Sequence, residues 1–348
     1  GSVTGRYFVG GLVGKNTGTV DTSFAAGRLN ITAGGSDIGG LIGATSSTNK
    51  VKNSFWSISG TGETYSDGGT GLTDAQMRTA SSFTGFNFTT TPGATGNNWV
   101  LVNVDGGLNN AGGAAGATYP MLASEYATTI HNAHQLQLMA MAPGAAYVLG
   151  ANIDACSTAG GKGVWGETGF IPVGTRDNAF TGSLDGQGHT ISGLYINLPD
   201  TRNVGLIGYT EAGSVIRHVG MLGGSISGED YVGGLVGSNA GLVSDSYATG
   251  TINGDDKVGG LVGSNTGLVS NSYATGTISG DGRIGGLIGL NDQGAVKDSH
   301  ASGNVSGSGR VGGLIGEMNH GTVSGSHASG TVVVVEERVG GLVGENYN

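Results

Sequence analysis

Cysteine is almost missing from this chain: Cys156 is the single thiol in 348 residues. No internal disulfide framework holds the fold, which leaves stability to packing and hydrogen bonding. Proline is scarce at 5 residues, and the 73 glycines do not fall at every third position, which excludes a collagen-like triple helix. Charged side chains make up only 11%, and 15 basic residues stand against 25 acidic ones for a formal net charge of −10. That balance argues against nucleic acid or anionic lipid as the main partner. No apolar run reaches the roughly 18 residues that span a bilayer, and no segment has the pattern of a signal peptide.

What the chain does have is a beat. The pentapeptide GGLVG or GGLIG begins at Gly10, Gly39, Gly233, Gly259, Gly285, Gly312 and Gly340, with a worn copy, VGLIG, at Val204. Unbroken neighbours are 26 to 29 residues apart, a period that marks a solenoid in which each repeat is one turn of a coil. The sequence starts inside one repeat and stops inside another, so it reads as an excerpt of a longer polypeptide.

A single repeat parses into short β-stretches. Over 258–284, VGGLVG forms one strand, Leu268 to Thr275 a second and Thr277 to Ser279 a third, with Gly and Asn at the corners. Three short strands with no helical period between them suit a parallel β-helix better than βαβ units. Glycine is expected at the corners because it takes positive φ without steric cost. Equivalent residues of successive coils then stack at roughly 4.8 Å into ladders.

One ladder is asparagine, at Asn16, Asn239, Asn265, Asn291, Asn319 and Asn346, where side-chain amides can bond along the axis. A second is serine, at Ser23, Ser54, Ser246, Ser272, Ser299 and Ser326, each followed by a ring: Phe24, Phe55, Tyr247, Tyr273, His300 and His327. Ala25, Ala248, Ala274, Ala301 and Ala328 come next. If Ser and Ala point inward the rings face out, and a bend at Ser244 or Asp245 would reverse this.

Between the repeat blocks the pattern breaks. Thr73 and Gln76 have capping-box spacing for a short helix, and a passage with Phe83, Phe86, Phe88 and Trp99 reads as a plug over the open end of the first solenoid. Asn132 and Gln135 open a second capping helix, with Leu136, Met139 and Ala140 on one face and Pro143 ending it. Tyr147 to Ile153 and Phe170 to Val173 look like strands.

The repeats, typified by GGLVGSNTGLVSNSYATGTISG, resemble the GLUG repeat of large bacterial secreted and surface proteins, including adhesins similar to filamentous haemagglutinin and the stalks of some surface proteases. YVLGANID, FIPVG and AFTGSLDGQGHTISGLYI are similar to the lead-in of such arrays, and GLTDAQMRTASSFTGFNF with NWVL and YPML to their closing segment. The resemblance implies an all-β, right-handed parallel β-helix in an exported adhesin or biofilm-matrix protein. It also implies two tandem modules with short capping helices: residues 1–126 (coils plus closing segment) and 127–348 (lead-in 127–203, coils 204–348).

Motifs that carry chemistry are few. Asp185-Gly-Gln-Gly-His189 is the most enzyme-like string, but glycoside hydrolysis needs a second carboxyl group at a set separation, and Asp154 and Asp177 are merely nearby in sequence. The alternative is a turn in which Asp185 accepts from backbone amides. His131 and His134 lack an HExxH context and a third ligand. His300 and His327 sit in adjacent coils close enough to share a metal, yet Tyr or Phe fills that place in other coils, which favours a stacked ring position. The acidic turns at Glu229-Asp230, Asp255-Asp256 and Asp281 offer oxygens for Ca²⁺, but Lys257 and Arg283 beside them favour solvated turns.

No catalytic residue, metal site or cofactor is therefore assigned, and the chain is expected to be non-enzymatic. The expected binding surface is the row Tyr247, Tyr273, His300 and His327, facing host or matrix glycans or proteins. Self-association into fibres is a further option. The competing expectations are a β-helix enzyme acting on polysaccharide and the stalk of a surface protease.

Overall fold

The computed structural model describes residues 1–113, 116, 118–161, 163–334 and 338–347. The chain divides into two compact units, Gly1–Glu125 with Lys162–Trp165, and Tyr126–Gly161 with Gly166–Asn348.

Unit two is a parallel β-helix. Five sheets of eight, seven, six, six and five strands run its length, and every ladder within them is parallel. Its crossovers take the right-handed sense that twisted parallel strands impose. A single coil shows the plan: Asp256–Gly259, Val262–Asn265, Leu268–Ser270, Tyr273–Ala274 and Thr277–Gly280 each contribute one strand to a different sheet. The coil thus has five strands rather than the three read from sequence. VGGLVG bends between Gly259 and Val262, and the stretch from Leu268 to Thr275 breaks at Asn271, which lies at φ 48°.

The interior is filled by residues pointing inward from each strand. Val258, Leu261, Val262, Val269, Ala274 and Ile278 are all fully buried, as are Ile284, Leu287, Ile288, Val296, Ala301 and Val305 one coil on. Burying six apolar side chains per coil, at about 25 cal/mol per Å² of apolar surface, is the main force that holds the stack.

The beat glycines let successive turns pack closely, as expected, but the corner glycines Gly267, Gly276 and Gly280 do not take the positive φ expected of them. None of the beat glycines in unit two has positive φ. The left-handed corner before the serine ladder is taken by Asp245, Asn271 and Asp298, at φ 48 to 49°, and by Gly325 at 60°; Asp and Asn have short polar side chains that tolerate that region. Beat and corner glycines alike are there for space. A Cβ on Gly259 would lie 2.0 Å from Val262 O, on Gly260 2.2 Å from Gly286 O, and on Gly276 1.9 Å from Gly250 O. Any side chain would push backbone off backbone.

The lead-in belongs to the same solenoid. Thr129–Ile130, Ala146–Leu149 and Ser183–Asp185 are the first three strands of the eight-stranded sheet. Between the first two lies the helix Ala133–Leu138, where Asn132 Oδ1 accepts the Gln135 N–H. Gln135 returns its side chain to the His131 N–H rather than to the cap residue, so the box is offset by one. Residues 170–173 do not form a strand; Val173 makes only an isolated bridge to Ile207.

Unit one winds two coils, with Ser2–Gly10 on Arg28–Gly39, Val13–Asn16 on Ile42–Thr45, Val20–Asp21 on Val51–Lys52 and Phe24–Ala25 on Phe55–Ser57. The closing segment then opens on the predicted helix, Asp74–Met77, with a full Thr73/Gln76 capping box. Part of the edge of the second coil is covered by Tyr65–Asp67 rather than by the aromatic plug. Gly40 N–H donates to Tyr65 O, Ile42 N–H to Ser66 Oγ at 2.8 Å and Thr45 N–H to Asp67 Oδ2 at 2.5 Å. Edge amides need acceptors, which Phe rings lack.

Candidate functional site: side-chain ladders of the repeat coils

The serine ladder builds the corner on which the rings sit. Each hydroxyl donates to the carbonyl two residues back, as Ser246 to Ser244 O and Ser272 to Ser270 O, both 2.7 Å. Each hydroxyl also accepts an amide from the coil before it: Ser246 N–H to Ser272 Oγ, Ser272 N–H to Ser299 Oγ and Ser299 N–H to Ser326 Oγ, at 3.1 to 3.2 Å. Unit one repeats the device with Ser23 N–H and Ser54 Oγ. With Ser246, Ser272 and Ser299 and the following alanines buried, the ring between them points outward.

Four rings form a continuous stack along one sheet of unit two. Tyr247 and Tyr273 are 4.8 Å apart at 3°, Tyr273 and His300 5.0 Å at 10°, and His300 and His327 5.0 Å at 4°. Tyr247, Tyr273 and His300 are half-buried and His327 is exposed. The row ends on Gly220, where a Cβ would meet the Tyr247 ring at 2.5 Å. Burial, and then the neighbouring His327, push the His300 pKa down. Burial, and then the Tyr247 phenol, push that of Tyr273 up. Both shifts favour the uncharged forms of Tyr273 and His300, and the stacked rings offer flat apolar faces and polar rims.

The asparagine ladder is internal. Asn239 Nδ2 donates to Asn265 Oδ1 and Asn265 Nδ2 to Asn291 Oδ1, both at 2.8 Å, and all three side chains are buried. Asn319 is not part of it. Met318 stands opposite Asn291, while Asn319 stands opposite Asp292 and donates to that carboxylate. Asn319 falls one residue late from its glycine beat, and in a strand one residue reverses the side chain's face.

Sequence reading missed an ionic ladder. Arg283, Arg310 and Arg338 stack in register, and acidic side chains interleave them. Arg283 reaches Asp256 at 2.5 Å and Glu317 at 2.9 Å, Arg310 reaches Glu317 at 3.0 Å and also bonds Glu345, and Arg338 reaches Glu345 at 3.1 Å. Partial burial of Asp256 opposes its ionisation, but Lys257 and the Arg283 amide outweigh it and hold the carboxyl below the usual range. The signal was an Arg at a fixed offset before the beats and a Glu shortly after two of them.

The remaining candidates are turns. Asp185 accepts from the Gln187 N–H at 2.9 Å, and lies 2.9 Å from Arg217 and 3.1 Å from His218. Burial of its carboxyl is outweighed by these partners, so its pKa lies below the usual range, the opposite of what a general acid needs. His189 contacts Asn152 at 3.2 Å. Cys156 is exposed at the start of the 3-10 turn Cys156–Thr158, and its N–H donates to Asp154. Among the described residues no group of three His, Cys, Asp or Glu converges as metal ligands would, and no helix is long and apolar enough to cross a membrane.

The ladders and coil plan define a repeat β-helix whose recurring residues serve stacking. The GLUG motif matches residues 228–253, 257–279 and 280–306, so three consecutive coils of unit two are GLUG repeats. Halomucin from Haloquadratum walsbyi is 39% identical over 111 residues, 31% of this chain and 1% of that protein. A provisionally named Gly-rich membrane protein of Evansella cellulosilytica is 34% identical over 83 residues, 23% of this chain and 10% of that one. The chain therefore spans only a small part of these relatives. Among solved structures, a provisionally named immunoglobulin A1 protease of Bacteroides ovatus superposes with a TM-score of 0.43 at 18% identity, covering 63% of this chain and 82% of that one.

Proposed function

We propose that this chain is a rigid, non-enzymatic shaft segment of a large secreted surface protein, an adhesin or matrix component, which touches glycans through the row Tyr247, Tyr273, His300 and His327. The observation that carries this reading is the unbroken stack of four near-parallel rings on the outside of a regular coil. A repeated ring lets weak sugar contacts act together, because each bound unit raises the effective concentration of the next. Kinship with a protein named for the membrane supports a cell-surface location.

The test is retention on immobilised polysaccharides. Tyr247→Ala with Tyr273→Ala is expected to abolish retention while leaving the fold intact, and unchanged retention removes the glycan row from the proposal. Release of reducing ends from any of those glycans would overturn the non-enzymatic reading in favour of a β-helix hydrolase.

A further inference from the structure

We infer that unit one carries a binding pocket for a neutral, polyhydroxylated ligand of sugar size, at the point where its winding stops. Strand Val51–Lys52 pairs on one side only, with Val20–Asp21. After Phe55–Ser57 the chain leaves the coil path; residues 65–67 bond along residues 40–45 and Thr70–Leu72 pair with Phe55–Ser57, but nothing pairs with the free side of Val51–Lys52 among the described residues. The skipped stretch leaves a pocket of about 480 Å³ over Val51 and Phe55, within the range of roughly 300 to 1,000 Å³ typical of small-ligand sites.

Its lining has three kinds of group. Thr48, Thr70 and Thr84 present hydroxyls that bond no other described group. Asp67 brings a carboxylate that is anchored by the Thr45 N–H and 3.3 Å from the Tyr65 hydroxyl. Tyr65 stands on the rim, 62% exposed, its phenol tied to that carboxylate. No cationic side chain lines the pocket.

Hydroxyls and a carboxylate can hold the vicinal hydroxyls of a sugar, and the Tyr65 face suits its C–H face. A carboxylate without a cation repels an anionic ligand, so selectivity for neutral sugars comes from that repulsion. This site is separate from the ring row of unit two and does not depend on the shaft reading.

Titration of the intact chain with glucose, galactose, N-acetylglucosamine and glucuronate, followed by amide chemical shifts, tests it. At least one neutral sugar is expected to shift Tyr65 to Thr70 and Thr84, with glucuronate about tenfold weaker or worse. Tyr65→Ala should weaken binding at this pocket by up to about tenfold, read on the shifts of Ser66 to Thr70 and Thr84 alone. The inference is overturned if no neutral sugar moves those residues, if glucuronate binds equally well, or if shifts fall only on the unit-two row. The mapping uses the unaltered protein, so it stands whether or not a variant folds.

Discussion

Units one and two place an aromatic ring at the same point of the coil, after the corner serine, and treat it in opposite ways. In unit one the rings are Phe24 and Phe55, and the closing segment covers them. Phe83 packs edge-on against both at 6.2 and 5.2 Å, Trp99 lies 5.7 Å from Phe24 and Phe86 5.8 Å from Phe55. In unit two the rings are Tyr247, Tyr273, His300 and His327, stacked on one another with their outer edges in water. Phenylalanine stands where the ring is covered, and rings with a polar rim stand where it is not. A phenol or imidazole keeps its hydrogen bonds at an exposed site but would lose them under a plug.

Removing the cover tests this most strongly. Phe83→Ala should cost unit one about 3 to 5 kcal/mol, whereas Tyr273→Ala should cost unit two only about 1 kcal/mol, because its ring is half in water. The units can be followed separately: Trp56, Trp99 and Trp165 all lie in unit one, so tryptophan fluorescence in denaturant reports that unit, while circular dichroism reports both. Equal losses would break the comparison.

Next come the internal amides. Asn265→Ala should cost unit two about 2 to 3 kcal/mol by stranding Asn239 and Asn291 in the core. In unit one the corresponding link is a single 3.3 Å contact from Asn16 Nδ2 to Thr45 Oγ1, and Thr45→Val should cost about 1 kcal/mol. Asn319→Ala, outside the buried chain, should be the mildest of the three in the same unfolding assay.

Exchanging the rings sharpens the contrast. Phe55→Tyr places a hydroxyl among Phe83 and Phe86 and should destabilise unit one by about 1 to 2 kcal/mol, while Tyr273→Phe should move unit two by less than about 0.5 kcal/mol.

The smallest effect is the pH response of the bare row. The folded pKa of His300 is depressed, so between that value and the unfolded one, about 6.5, the unfolded chain binds more protons. Stability is then full above about pH 6.5 and declines as pH falls through that window. His300→Tyr should remove this part of the acid sensitivity of unit two. Unit one has no ladder histidine and should show none of it.

Much of this was legible in the chain. The glycine beat announced coils because its period is fixed, and the Ser-ring-Ala triplet announced a corner because the ring recurs between two small residues. The inward or outward choice was not legible, since it hangs on φ at Asp245, Asn271 and Asp298. The five-strand coil was hidden by strands only two to four residues long, too short to show alternation. Counting from the beat would have excluded Asn319 at once. The reason for the corner glycines was misread because positive φ and lack of space both select the same residue, and only coordinates tell them apart. The pocket beside Tyr65 lay in a stretch with no repeat to align it to.

The coil-to-coil hydrogen bonds have a mechanical consequence. They run along the solenoid axis, so a pull on the two ends of the stack loads them head-on and peels terminal coils one at a time rather than shearing a whole sheet. Each released coil of 26 to 28 residues adds roughly 90 Å of slack. Under load such a stack lengthens in nearly equal steps, absorbing work at each one.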